Sequence, residues 1–180
     1  MVILSNADLL DGDTVHEGQI KYTEDVIVRT GYNAEAAALI PFGRAVTKGN
    51  VSSGRTSDRL DLVNLTGAGN AIVGIAVATD IIERRSGAPG VVEGASLMED
   101  GTMAYPIDYT VSYLVRGVIG VRLAGPVTPA SPVYVVHTAS EGILVGTFQA
   151  GAVNAIQIPG ARFLGFGAQD EVVPVSINLA

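Results

Sequence analysis

The chain of 180 residues has no cysteine and no tryptophan, and only 16% of it is charged. Without cysteine, disulfides and thiolate metal sites are excluded. The scarcity of charge carries more information, because an ordinary soluble domain is about 25% charged, whereas 48% of this chain is hydrophobic. Long apolar runs are missing too. The longest, residues 71–78, is eight residues long and contains Gly74, well short of the roughly 20 that a membrane-spanning helix needs. Basic residues are outnumbered, with 11 Lys and Arg against 18 Asp and Glu and a net charge of −7. A nucleic-acid surface needs clustered cations to neutralise phosphates, so neither nucleic acid nor membrane is an expected partner. Residues 1–8 lack the basic and apolar regions of a secretory signal, so the expectation is synthesis in the cytoplasm.

Two readings explain the low charge. One is a glycine-rich β-protein with a neutral polar surface, helped by 22 glycines. The other, which we prefer, is a surface that does not all face water because the protein sits in an assembly.

The charge that is present is unevenly placed. Residues 1–35 contain Asp8, Asp11, Asp13, Glu17, Glu24, Asp25 and Glu35 against Lys21 and Arg29, whereas residues 126–180 contain only Glu141, Arg162, Asp170 and Glu171. The chain therefore divides into an acidic N-terminal arm, 1–25, and a single β-rich domain, 26–180. From Tyr109 the sequence alternates, with Tyr109, Val111, Tyr113 and Val115 on one face, until Gly117 and Gly120 interrupt it. The C-terminus alternates most cleanly, with Val173, Val175, Ile177 and Leu179 separated by Pro174, Ser176 and Asn178. Period-two spacing predicts half-buried antiparallel strands, and Pro174 predicts an edge strand or strand start. Many short strands with turns between them predict an all-β fold, a compact antiparallel β-barrel or jelly-roll-like sandwich. Helix signals are confined to residues 33–39, with Asn33 as N-cap, and the Gly- and Pro-rich stretch 86–99 reads as a long loop.

The inventory for chemistry is nearly empty. Gly67, Gly69 and Gly74 do not have the spacing of a dinucleotide fingerprint and read as a strand-entry turn or hairpin. Asp11 and Asp13 match two positions of a helix–loop–helix calcium motif, but Val15 occupies the third. His16 and His137 are the only neutral-pH bases, and neither has a nucleophile in a recognisable setting. No enzyme, cofactor or metal site is expected.

Two segments carry a resemblance: residues 40–46 (IPFGRAV) and residues 158–164 (IPGARFL), with residues 73–78 (VGIAVA) and 126–134 (PVTPASPVY) between them. In this order the set resembles the structural cement, or head decoration, proteins of tailed bacteriophages. The resemblance implies a non-enzymatic virion protein on a β-barrel, jelly-roll or tulip-like core. Such a protein would be made in the host bacterial cytoplasm, bind the outer capsid surface, clamp neighbouring major capsid subunits and pair with copies of itself as a dimer or trimer. It brings no catalytic residues, and Pro41, Gly43, Pro159 and Gly160 match as structural turns. Asp8, Asp11, Asp13 and Glu17 are the candidate capsid-contact residues of the arm, since a charged arm aids encounter with basic surface. The competing expectation is a jelly-roll ligand- or carbohydrate-binding virion module, which would need aromatics arranged over a groove.

Overall fold

A computed structural model describes residues 15–21, 25–35, 38–49, 61–78, 96–97, 102–107 and 109–180. Among these residues there are fourteen strands and no helix. In chain order they are β1 (Ile20–Lys21), β2 (Ile27–Asn33), β3 (Ile40–Pro41), β4 (Ala45–Lys48), β5 (Asp61–Leu65), β6 (Ile72–Ala76) and β7 (Ser96–Leu97). Then come β8 (Met103–Tyr105), β9 (Thr110–Arg122), β10 (Tyr134–Val136), β11 (Phe148–Gln149), β12 (Ala155–Gln157), β13 (Arg162–Phe163) and β14 (Val172–Asn178).

Five of them close on themselves. β9 pairs with β2, β2 with β5, β5 with β4, β4 with β6, and β6 returns to β9. Every pairing in this ring is antiparallel except β2 with β5. Closure removes the sheet edges that an open sheet would expose, and the all-β barrel expected from the sequence is what forms.

β9 is the organising element. Its first half belongs to the barrel, and its second half runs on past it, pairing with β14 on one edge from Val172↔Arg122 to Asn178↔Arg116 and with β1 on the other at Ile20↔Ile119. Alternation sends Val111, Tyr113 and Val115 inward, where they pack with Ile40, Phe42, Val46, Val63, Ala76 and Tyr105. The opposite face supplies Leu114, which joins Ile119, Val121, Phe148, Val175 and Ile177 in a second core outside the barrel. With both faces covered, β9 reads as an almost continuous apolar run. Burying a side chain of this size is worth about 1.5–3 kcal/mol.

Inside the barrel Tyr105 meets Phe42 edge to face, with ring centroids 5.1 Å apart, and donates its hydroxyl to the Val77 carbonyl at 2.6 Å. Small satellite sheets, β11–β10–β12 and β3–β8–β7, flank the main one.

Local signals misjudged four places. Gly117 and Gly120 do not break β9, because pairing on both edges holds the strand through them. Asn33 ends β2 instead of capping a helix: it is fully buried, donates to the Pro106 carbonyl at 3.0 Å and accepts from the Glu35 amide at 3.0 Å. Residues 34–35 and 38–39 are not helical, while 36–37 lie outside the described residues. Ser96–Leu97 forms a strand on β8, whereas the rest of the expected loop 86–99 lies outside the described residues. β14 is not an edge strand, since β13 pairs with its outer side. The Pro174 carbonyl accepts from the Leu164 amide at 2.9 Å, so the missing N–H faces that same side, where β13 is only two residues long.

Candidate functional site

Residues 15–21 lie along the second half of β9. The Gly18 amide donates to the Gly120 carbonyl and the Gly120 amide to the Gln19 carbonyl, each at 2.9 Å, and the Ala78 amide donates to the Gly18 carbonyl at 2.8 Å. The approach is so close that a Cβ on Gly120 would collide with the Val15 side chain and the His16 carbonyl. Glu17 fixes the segment electrostatically. One carboxylate oxygen lies 3.2 Å from Arg44 Nε and the other accepts from Arg122 Nε at 3.0 Å. Arg44 is 1% exposed and the Glu17 side chain 10%, so the Arg44–Glu17 pair is almost fully desolvated, while Arg122 reaches it from the solvent side. A second ion pair, Arg116 to Asp25 at 2.8 Å, is exposed and contributes little by comparison.

Of the four acidic residues singled out from the sequence, Glu17 is thus turned inward onto two arginines. Asp8, Asp11 and Asp13 lie outside the described residues. The four turn residues sit in two related corners. In the first, β3 ends at Pro41, the chain reverses through Phe42–Gly43, and the Arg44 amide reaches the Pro41 carbonyl at 3.4 Å. In the second, Pro159–Gly160 turns the chain between β12 and β13, with the Ala161 amide donating to the Ile158 carbonyl at 3.3 Å. Gly43 and Gly160 have φ of 69° and 76°, a region that side chains with a Cβ avoid. The first corner also aims Arg44 at Glu17, so it both turns the chain and supplies the cluster.

Loops in the C-terminal half of the chain leave large apolar side chains in water. Leu144 lies between β10 and β11, Val153 between β11 and β12, and Leu164 and Phe166 between β13 and β14. Val153 and Phe166 are each 78% exposed. Val26, Ile27 and Val28, at the start of β2, are also exposed. Among the described residues no group of His, Asp and Glu could hold a metal ion. His137 bonds its neighbour Thr138 at 2.7 Å and His16 is exposed.

The model of the structural cement protein family (E217 gp24/Pam3 gp6) matches residues 11–178. The chain belongs to the phage structural cement family. A chain in the solved capsid of Myoviridae phage XM1 has a similar fold, with a TM-score of 0.59, 18% identity and 98% of both chains covered. No curated protein matches. Membership of this family implies a structural role and a place in the virion capsid, to which the surfaces just described are relevant.

Two features of those surfaces escaped the sequence. The first is the pairing of Glu17 with Arg44 and Arg122, far apart in the chain; its one local trace is a lone arginine in an apolar stretch, residues 40–46. The second is the exposure of Phe166 and Val153, which look like core residues by type and are distinguished only by the glycines around them.

Proposed function

We propose that the protein binds the outer surface of an assembled capsid and stabilises it by clamping neighbouring major capsid subunits. The observation that carries this reading is the set of bared apolar side chains, Leu144, Val153, Leu164 and Phe166, on the least charged part of the chain. Large apolar groups left in water on loops are what a protein partner covers. The low charge around them lowers the desolvation cost of that contact. Val153, Leu164 and Phe166 are the contact between copies of the protein, as a dimer or trimer, and the acidic segment 1–14 carries Asp8, Asp11 and Asp13 to basic surface on the capsid subunits. The Glu17 cluster supports the second role, because it ties the chain to β9 immediately after that segment.

Clamping works by mass action. A protein that binds the assembled shell but not free subunits stabilises the shell by RT ln(1 + [L]/Kd) at each site. Repetition over many sites makes modest affinity sufficient. Production in the host bacterial cytoplasm, where capsids assemble, fits this scheme.

Cosedimentation with purified capsids lacking the protein tests the proposal. The full chain is expected to pellet with assembled shells and to raise the temperature at which they rupture. A chain lacking residues 1–14 is expected to keep its circular dichroism spectrum and lose occupancy. Unchanged occupancy would remove the arm from the mechanism, and no binding of the full chain would refute the clamp.

A further inference from the structure

Among the described residues a cavity of about 260 Å³ opens at the mouth of the barrel. Its polar groups are Arg29 on β2, Lys48 on β4, Asp61 on β5 and Tyr113 on β9, and its apolar walls include Ile72, Val115 and Leu179. The Tyr113 ring is buried, and its hydroxyl, which makes no hydrogen bond to a described residue, opens onto the cleft. Arg29 and Lys48 are exposed and form no ion pair with a described residue.

The tyrosine is also held in place. Gly31 and Gly74, on the two strands flanking Tyr113, form a slot for its ring. A Cβ on Gly31 would come within 3.1 Å of the ring and one on Gly74 would collide with it. Burial first, then the Asp61 carboxylate, push the phenol ionisation above its ordinary value, with Arg29 opposing. The hydroxyl is therefore a proton donor throughout the physiological range. Two cations that outnumber the single Asp61 carboxylate, a hydroxyl donor held in place, and apolar walls together favour an anion with an apolar part.

We propose that this barrel-mouth cleft is a binding site for an aliphatic carboxylate, whose oxygens take Arg29, Lys48 and the Tyr113 hydroxyl while its alkyl part covers Ile72, Val115 and Leu179. The same chemistry is presented by a free medium-chain acid and by a leucine–aspartate step in a peptide. It goes beyond capsid clamping and does not depend on it.

Titration calorimetry on the full chain tests the site with two probes, octanoate and acetyl-Leu-Asp amide. Saturable binding of either supports the proposal, and which of them binds identifies the source. Tyr113→Phe keeps the ring in its slot and should weaken binding about tenfold, the loss of one hydrogen bond to a charged group. Arg29→Gln with Lys48→Gln should abolish it. Octanol against the unaltered protein provides a comparison free of any folding defect, and it should bind at least tenfold more weakly than octanoate. Absence of binding by both acids, or equal binding of octanol and octanoate, would overturn the proposal.

Discussion

Replacing Glu17 by alanine should be among the most damaging single substitutions available in this protein. The change removes the carboxylate that lies 3.2 Å from Arg44 and 3.0 Å from Arg122. Arg122 is 29% exposed and can recover hydration, but Arg44 is 1% exposed and cannot. Breaking a buried pair by removing one partner costs about 3–5 kcal/mol, chiefly the penalty of the charge left behind. At about 2–4 °C per kcal/mol for a chain of this size, the midpoint should fall by about 6–20 °C. Urea unfolding followed by circular dichroism gives the free energy. Amide hydrogen exchange gives the location, since Gly18, Ala78 and Gly120 should lose protection before the barrel amides do. Combining Glu17→Ala with Arg44→Met should recover much of the loss, because the buried charge is gone as well. A loss below about 1 kcal/mol, the range of exposed pairs, or protection of these three amides equal to that of the barrel amides would refute the reasoning.

Gly120→Ala should destabilise by about 2 kcal/mol or more, because the added methyl meets the His16 carbonyl, backbone that cannot swing aside; denaturant midpoints measure it. Raising the pH should expose the Tyr113 shift. With the folded-state ionisation raised, its contribution is fully present below the unfolded value of about 10 and is lost as pH climbs above it. Stability between pH 9 and pH 12 should therefore fall less steeply in Tyr113→Phe; equal slopes would remove Tyr113 as a cause. Phe166→Asp should leave the melting temperature within about 1 °C, being a surface change, while shifting sedimentation toward the monomer; an unchanged distribution would exclude Phe166 from the contact between copies.

The strands were legible where side-chain alternation and the solvent pattern coincide. β14 alternates buried and half-exposed residues along its length, and its sequence says so directly. β9 was legible only in part, since its second half is buried on both faces and alternation fades there. Closure of the barrel was not legible, because it depends on β2 lying parallel to β5, a long-range choice with no local signature. At the corners, Pro41 with Gly43 and Pro159 with Gly160 carry the local turn chemistry. The charge cluster was not legible: Glu17, Arg44 and Arg122 look like ordinary surface residues until the fold brings them together. The cleft was hidden for the same reason, its polar groups coming from four strands.

The shared strand β9 also sets a timetable for biosynthesis. Ile20 pairs with Ile119, and Val28 with Leu114, so the first strands wait for partners roughly a hundred residues downstream. At about 5–20 residues per second of translation, β1 and the start of β2, which β5 does not reach, wait on the order of 5–20 s for β9 to emerge. During that interval the apolar run Val26-Ile27-Val28 is a naked adhesive edge, and the acidic pair Glu24-Asp25 immediately before it acts as the guard against aggregation. Acidity at the front of the chain thus protects the nascent polypeptide before any capsid is within reach.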